Sequence, residues 1–287
     1  MTIDDALRLA TAEAARGVVT IPPDLHGFPG VAHGGAVAAA FHRLTLPRPP
    51  VALHLELQRS VPTGAPLRLA TGSHGVTAEL SLAQGDRVLA TATLHRSGVT
   101  PPPVGDLLAA WDHDRQGAEL PGSATCLACG SANPLGLGLR LIAAPRVLWR
   151  EHVPRPAYHL RTGEAHPALA LVALDELGWW LGALAQGECG VTTDVRLALF
   201  APLPLAPLLV LGGRAGVHPD GDPRGRYSRV SGVLLGPGRD VLAAAEIRFA
   251  GSRAYTRRLL EPFLATTPLD ELARWFPSVR ELSVRRV

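Results

Sequence analysis

The sequence predicts an α+β protein made of two similar halves, each with antiparallel strands around one apolar helix. The first observation is size and composition, because 287 residues suit two domains, and 47% apolar with 18% charged residues is typical of globular proteins. The second observation is that the same order of segments occurs twice along the chain. The third is that each copy has one long apolar run of helical character, followed by segments in which apolar and polar residues alternate.

The repeat is visible in matching segments. Residues 55–58 of the first copy match residues 195–198 of the second, and residues 88–94 match residues 241–247. The interval between matching segments grows along the chain because the second copy has longer connections, including the Gly- and Pro-rich stretch 214–226. Intervals that change only between elements indicate a duplicated domain rather than an array of short repeats.

Hydrophobic periodicity predicts the same elements in both copies. The alternation of Val51, Leu53, Leu55 and Leu57 with polar residues predicts a half-buried strand. In the first copy we predict a helix at residues 34–44 and strands at residues 17–21, 51–59, 67–71, 76–83 and 87–96. In the second copy we predict a helix at residues 167–184 and strands at residues 138–143, 147–153, 193–200, 208–213, 227–235 and 241–249.

These elements define the predicted domain boundaries. An N-terminal domain spans residues 1–100, and a Pro-rich linker follows at residues 101–122. A C-terminal domain spans residues 123–251. Residues 252–287 form a tail, in which residues 269–276 are predicted to be helical.

Composition and charge exclude several classes of function. The chain has no lysine, so its 28 basic residues are all arginine, and its net charge of +3 is mild. Because the arginines are scattered and aromatic residues are few, we expect no nucleic-acid groove. The longest apolar run, residues 168–184, carries Asp175 and Glu176 at its centre, so we expect it not to cross a membrane. Residues 1–16 resemble an amphipathic helix rather than a signal peptide, and together with the three cysteines this predicts a cytoplasmic protein.

Two local features suit chemistry at a carbonyl group. His33, Gly34 and Gly35 stand at the start of the first apolar helix, where backbone N–H groups lack intrahelical partners and the helix dipole adds positive charge. Glycines leave such donors open to an oxyanion, although a tight turn alone would also use glycine. Asp175 and Glu176 are the only charges in the second apolar run, and a buried carboxylate is costly unless it has a partner or a function.

Cys126 and Cys129 have the spacing of half a zinc site. Structural zinc normally takes four ligands, and neither a second CxxC nor a histidine pair accompanies this one at ligand spacing. Cys189 is distant in sequence, and His152 or His159 would have to be recruited. We therefore predict a turn that leads into a strand, with no metal and no cofactor.

Three motifs, in their order along the chain, resemble double-hotdog proteins of the acyl-CoA thioesterase superfamily, of the phenylacetate-pathway type. They are GVAHGG at residues 30–35, CLACGSANPLGLGL at residues 126–139 and LDELGW at residues 174–179. The likeness spans most of residues 15–250. It implies a tandem hotdog fold, in which two antiparallel sheets each wrap a central apolar helix.

The resemblance also implies the place of the site. In hotdog dimers the glycine turn comes from one subunit and the acid from the other, so a fused pair has two such places. One place combines His33, Gly34 and Gly35 with Asp175, which follows His166 by the family's nine residues. This place has both free helix-start amides and a carboxylate.

The second of these two sites between the halves lacks both the free helix-start amides and the carboxylate. It would combine His166, Pro167 and Ala168 with His42. Proline has no N–H, alanine adds a methyl group, and the histidine replaces the carboxylate. Proline at a helix start is a structural preference, so we expect this second place to be structural.

Other residues near the site have alternative roles. Neighbouring helix positions point about 100° apart, so Asp175 is expected to face the site, and Glu176 to lie at a surface or in a salt bridge. A hydroxyl helps to hold the water in many relatives, and Thr192 or Thr193 could do so here. Where some relatives carry a hydroxyl one turn after the acid, this chain has Trp179.

The expected function is that of an enzyme, an acyl-CoA thioesterase-like hydrolase. The substrate partner would be an acyl-CoA or an acyl-carrier-protein thioester, with Asp175 as general base or nucleophile. The chains could form a homodimer of double-hotdog chains. Two alternatives stay open: a non-catalytic acyl-CoA-binding or regulatory hotdog protein, and a hotdog enoyl-CoA hydratase or dehydratase.

Overall fold

The computed structural model describes residues 1–45, 48–96, 98–215, 217–219 and 225–280. Part of the predicted connection at residues 214–226 therefore lies outside the described residues, as does the end of the predicted tail.

The first half contains the predicted helix and meander of strands. Its N-terminal helix is shorter than residues 1–16 and begins with a capping box, in which Thr2 and Asp5 exchange hydrogen bonds. The elements of this half are α1 (Ile3–Ala10), β1 (Val18–Val19), β2 (His26–Phe28), β3 (Val31–Ala32), α2 (Gly34–Thr45), β4 (Val51–Leu57), β5 (Leu67–His74), β6 (Thr77–Gln84) and β7 (Arg87–His95).

The second half repeats this order with additions. The predicted linker at residues 101–122 contains a helix and a short strand, α3 (Gly105–His113) and β8 (Ala118–Glu119). The repeated elements are β9 (Ile142–Ala143), β10 (Val147–His152), β11 (Glu164–Ala165), α4 (Ala168–Gln186), β12 (Gly190–Leu199), β13 (Leu203–Pro204), β14 (Leu208–Gly213), β15 (His218–Pro219), β16 (Tyr227–Leu235) and β17 (Val241–Gly251). Three helices follow: α5 (Arg253–Leu259), α6 (Glu261–Leu264) and α7 (Leu269–Trp275).

The strand predicted at residues 138–143 is reduced to β9. Gly138 has a left-handed backbone conformation with φ of 65°, which interrupts an extended segment. The amides of Leu137 and Leu139 bond instead to the carbonyls of Leu127 and Ala128. This segment therefore packs against the loop that carries the two cysteines.

The two predicted sheets are joined edge to edge. β4 of the first half pairs antiparallel with β12 of the second, with Leu55 opposite Val195. Among the described residues the result is one 13-stranded sheet in the order β1-β5-β6-β7-β4-β12-β17-β16-β14-β10-β9-β8, with β15 paired to β16. Pairing at this joint covers an edge strand of each half, which would otherwise be open to other chains.

Helices α2 and α4 lie side by side within this curved sheet and form the core. Along α4 every residue from Ala168 to Ala183 is buried. In the described part of the chain, α4 is the one helix whose length and composition would suit a membrane span, and 89% of its most apolar window is buried inside the fold. The helix is thus accounted for as the centre of a protein core.

The two helices approach closely at Gly35. A Cβ atom built on this residue would lie 2.5 Å from the carbonyl oxygen of Leu171 and 2.5 Å from Cα of Val172, both of which are backbone atoms of α4. Backbone atoms of a buried helix cannot yield as a flexible side chain can. Glycine at this position therefore sets the distance between the two halves.

We predict that Gly35→Ala destabilises the protein by about 1–3 kcal/mol or more, because the added methyl group overpacks the α2–α4 contact. Urea unfolding would measure the effect. Gly105→Ala is the matched control, since a Cβ at Gly105 meets nothing within 4 Å and alanine favours the helix. Equal stability of both variants would contradict the packing role of Gly35.

Candidate active site

A cavity of about 260 Å³ lies between the two halves. The start of α2, the middle of α4, the beginning of β12 and the C-terminal helices all contribute to its wall. The lining includes His33, Gly34, Asp175, Glu176, Thr192 and Thr193, which are predicted site residues, but not Gly35. The fold therefore brings the glycine motif of the first half to the acids of the second.

The carboxylate of Asp175 binds the start of α2. Its Oδ2 atom accepts the N–H of Gly35 at 2.8 Å and lies 3.0 Å from Nδ1 of His33. The Gly35 amide is also 3.1 Å from Nδ1 of His33, but a carboxylate oxygen is the stronger acceptor. The prediction that the Gly35 amide is an open donor is therefore wrong, because Asp175 occupies it in the structure.

The amide of Gly34 is the open donor at this helix start. No acceptor for it exists among the described residues, and Gly34 lines the cavity. A Cβ on Gly34 would lie 2.7 Å from Oδ2 and 3.1 Å from Oδ1 of Asp175, so the glycine leaves room for the carboxylate. A ligand oxygen bound to this N–H would sit next to Asp175.

The second oxygen of Asp175 is unoccupied by protein groups. Oδ1 is buried and has no hydrogen-bond partner in the described part of the chain. The hydroxyl of Thr192 is near enough to help lower the pKa of Asp175, whereas the hydroxyl of Thr193 donates to the carbonyl of Arg248 at 3.1 Å. Of the two threonines, Thr192 is thus the better placed to share a ligand with Asp175.

His33 and Asp175 form a buried pair of opposite charge. Burial lowers the pKa of His33, but the charge of Asp175 and hydrogen bonds with Asp175 and Glu176 outweigh it and hold this pKa well above its ordinary value. Burial raises the pKa of Asp175, yet the charge of His33, hydrogen bonds from His33 and Gly35, and the nearby hydroxyl of Thr192 together lower it overall. The carboxylate is therefore held in its ionised form.

Glu176 is buried, so the first alternative for it, a position at the helix surface, is wrong, whereas its pairing with His33 agrees with the second alternative, a salt bridge. Its Oε1 accepts the indole N–H of Trp180 at 3.2 Å, and its Oε2 lies 3.5 Å from Nε2 of His33. Both acids of α4 thus reach the same imidazole ring from its two nitrogens. Helix geometry alone favours a single inward-facing acid. Glu176 also faces inward because it contacts the second ring nitrogen of His33.

The cysteine pair is part of the same wall. Cys126 and Cys129 are buried and line the cavity next to His33 and Glu176. The interaction between the two neighbouring thiols lowers the pKa of Cys126 and, together with burial, raises that of Cys129. The CxxC spacing predicts a turn, but it gives no sign that the two residues line the site.

Aromatic side chains close one side of the cavity, and sequence reasoning missed most of them. Trp179 of α4 stacks on Phe263 of the tail at 5.9 Å between ring centroids, and Phe28 lies 6.1 Å from Trp179. Tyr255 of the tail also lines the cavity. The tail is therefore part of the site wall, which no motif in residues 252–287 indicated.

The second place between the halves has a different chemistry. The Ala168 amide donates to Nδ1 of His166 at 3.0 Å, which repeats the contact between Gly35 and His33. Here Asp4 of α1 lies 3.7 Å from Nε2 of His166, while Nε2 of His42 is buried without a partner in the described chain. This place has neither a free helix-start amide nor an inward carboxylate on the facing helix.

Comparison with protein-family models and with curated proteins finds no match for this chain. Solved structures do match. A protein from Thermobifida fusca YX, provisionally assigned as a thioesterase II, is 16% identical with a TM-score of 0.57, over 88% of this chain and 98% of that one. A protein of unknown function with a hotdog fold, from Alicyclobacillus acidocaldarius, is 17% identical with a TM-score of 0.53, over 86% and 98% of the two chains.

A dehydratase domain is similar to the same degree. The domain of PpsC from Mycobacterium tuberculosis, solved in complex with C12:1-CoA, is 16% identical with a TM-score of 0.55, over 82% of this chain and 92% of that one. Likenesses of this kind, together with the long antiparallel sheet around two central helices, show that the chain has a double hotdog fold, as predicted.

The second place makes stability depend on pH. Burial lowers the pKa of His42 to about 4, with a smaller effect of His166, whose own pKa is also lowered to about 4 by burial against the opposing charge of Asp4. Because the unfolded histidines take up protons first as pH falls, protonation favours the unfolded state below about pH 6.5. Arg43, which pairs with Asp4, adds positive charge nearby.

We predict that His42→Leu reduces the loss of stability between pH 7 and pH 5 by up to about 2 kcal/mol relative to the parent. Urea unfolding at the two pH values would measure this difference. Replacing the exposed His74 by leucine is the control, and it should leave the parent's pH dependence unchanged. Identical pH dependence of the parent and the His42 variant would refute the burial argument.

Proposed function

We propose that this protein is an enzyme that hydrolyses an acyl thioester, with acyl-CoA or acyl-carrier protein as the thiol part. The observation that carries the proposal is the juxtaposition of the helix-start amide of Gly34 with an ionised carboxylate, that of Asp175, and neither this amide nor Oδ1 of the carboxylate has a partner among the described residues. One group binds a developing oxyanion and the other activates water. The two come from opposite halves and meet in one cavity.

The reaction would begin with the thioester carbonyl oxygen at the N–H of Gly34. There the α2 dipole stabilises the negative charge that develops as the carbonyl is attacked. A water molecule held between Oδ1 of Asp175 and the hydroxyl of Thr192 would lose its proton to Asp175 as its oxygen attacks. The tetrahedral intermediate then expels the thiolate and leaves a carboxylic acid.

His33 and Gly35 would act on the carboxylate rather than on the substrate. Both contact Oδ2 of Asp175, at 3.0 and 2.8 Å, which fixes the orientation of Oδ1. The same arrangement also suits direct attack by Oδ1 to form an anhydride. A single turnover in ¹⁸O-labelled water tests the anhydride route, because label enters Asp175 only when water opens an anhydride at the aspartyl carbonyl.

The aromatic side chains that line the cavity limit the size of the acyl group. The ring of Trp179 replaces the small hydroxyl residue of some relatives, and Phe263 and Phe28 lie against it. A cavity of about 260 Å³ with such a wall suits a compact acyl group better than a long, flexible chain. We propose a cytoplasmic enzyme with no nucleic-acid partner and no membrane partner.

A hydratase or dehydratase is the second candidate, and one observation favours it. His33 and Asp175 come from opposite halves and lie 3.0 Å apart, which is the acid–base pair that such chemistry needs. Assays of crotonyl-CoA hydration beside thiol release would separate the two activities. Hydration without hydrolysis would replace the first proposal by the second.

We predict that Asp175→Asn keeps the fold and the affinity for acyl-CoA but lowers kcat by roughly 10²–10⁴, because the amide cannot accept the proton from water. Thiol release measures turnover, and calorimetry measures binding. Glu246→Gln on β17, where Glu246 pairs with Arg229 and does not line the cavity, is the control and should keep full activity. Unchanged turnover of Asp175→Asn would refute the role of this carboxylate.

We also predict one functional site per chain. A non-hydrolysable acyl-CoA thioether should saturate at one molecule per chain, because the second place has His42 and Ala168 where the first has Asp175 and Gly35. Calorimetric titration gives this number. Two equivalent sites would show that both places bind the substrate.

A further inference from the structure

A second group of buried side chains lies beside the proposed catalytic carboxylate, and of its members the proposed thioester hydrolysis uses only His33. A ring nitrogen of His33, the sulfur of Cys126 and a carboxylate oxygen of Glu176 all lie within 4.8 Å of one another. The three residues are 6%, 5% and 6% exposed, respectively. Burying three ionisable groups together costs free energy unless something compensates their charge.

Cys129 brings a second sulfur to the same place. It follows Cys126 in the sequence CLACG, both cysteines are buried and line the cavity, and Cys129 is near enough to Cys126 and Glu176 for both to raise its pKa. The backbone closes tightly here, with the Gly130 amide 2.9 Å from the Cys126 carbonyl. A Cβ on Gly130 would lie well inside contact distance of that carbonyl, so only glycine permits this turn.

The backbone of the turn supports a charged sulfur. The N–H of Ala128 points at Sγ of Cys126 over 3.4 Å. A backbone donor stabilises a thiolate more than a thiol, and thiolate is the form that binds metals. The turn thus carries two cysteine sulfurs, and that of Cys126 already has a hydrogen-bond donor in the N–H of Ala128.

The remaining two groups are oriented by neighbours that leave one ligand atom free on each. Nδ1 of His33 is engaged by Asp175 at 3.0 Å, so Nε2 faces the cluster. Oε1 of Glu176 is engaged by Trp180, so Oε2 faces the cluster and lies 3.5 Å from Nε2. A carboxylate behind a histidine ligand is the arrangement that fixes the ring and its proton in many metal sites.

We propose that Cys126, Cys129, His33 and Glu176 bind one Zn²⁺ ion per chain. Two thiolates, an imidazole and a carboxylate are a donor set that favours zinc over calcium or magnesium. Ligand atoms around tetrahedral zinc are roughly 3.3–3.8 Å apart, as implied by bonds of about 2.0–2.3 Å. The 3.5 Å separation of Nε2 and Oε2 lies in this range, and the Cys126 sulfur is within 4.8 Å of a ring nitrogen of His33 and a carboxylate oxygen of Glu176. Rotation of the Cys129 side chain would bring the fourth ligand atom to the ion.

The zinc ion would link the two halves beside the reacting groups. His33 belongs to the first half, and the other three ligands belong to the second. The sequence prediction of no metal depended on the lack of two further ligands near the CxxC, and the fold supplies both from distant positions. Nδ1 of His33 keeps its contact with Asp175, so the site is compatible with the proposed hydrolysis and does not depend on it.

The test is metal content, which is independent of activity. The full-length protein, purified without chelators from zinc-supplemented medium, should contain one zinc per chain by elemental analysis. Cys126→Ser and Cys129→Ser should each lower this to well under one. Cys189→Ser is the matched control and should retain the metal. Cys189 is also a buried free cysteine, but it lies beside the tail, where its backbone N–H donates to the hydroxyl of Thr256, and it is not part of the cluster.

Cobalt provides a second measurement on the unmodified chain, in case a cysteine variant fails to fold. After zinc removal by a chelator, Co²⁺ should give a thiolate-to-cobalt charge-transfer band and the visible bands of a tetrahedral site. Absence of zinc in the parent together with absence of the cobalt spectrum would overturn the proposal. Full zinc content in Cys126→Ser would overturn it as well, as would a stable disulfide between Cys126 and Cys129 in the isolated protein.

Discussion

A hydrogen bond between the two halves holds the site together: the carboxylate of Asp175 on α4 accepts the N–H of Gly35 at the start of α2. This bond satisfies one of the amides that a helix start leaves without a partner, and it places a negative charge at the positive end of a dipole. It also compensates the burial of a carboxylate in an apolar helix. The Asp175 carboxylate of the second half thus gives the Gly35 amide of the first half an acceptor, and that amide in turn stabilises the buried charge.

The close packing of α2 and α4 is the condition for that bond. The backbone of α4 leaves no space for a side chain at Gly35, so the helices meet near their backbones and the carboxylate of Asp175 reaches the amide directly. The joint between β4 and β12 fixes the same relation from the sheet side. The cavity lies between the two halves, next to this contact between α2 and α4.

Much of the fold was predictable from the sequence because its periodicities are strong. The helix at residues 34–44 and the strands at residues 208–213 and 227–235 agree with the structure within a residue or so. β9 was overestimated, since a single left-handed glycine and bonds to a distant loop decide its length. Such long-range contacts leave no local pattern.

The site was predictable only where its residues formed motifs. His33, Gly34 and Asp175 do meet in one cavity, but the engagement of the Gly35 amide, the inward position of Glu176 and the approach of Cys126 depend on contacts between the halves. Covalent fusion has a further consequence. In a symmetric dimer, any substitution changes both sites at once, so neither can be lost alone. In a single chain each half accumulates its own substitutions, so His42 and Ala168 could arise without loss of Asp175 or Gly35, and natural selection could act on the two interfaces separately.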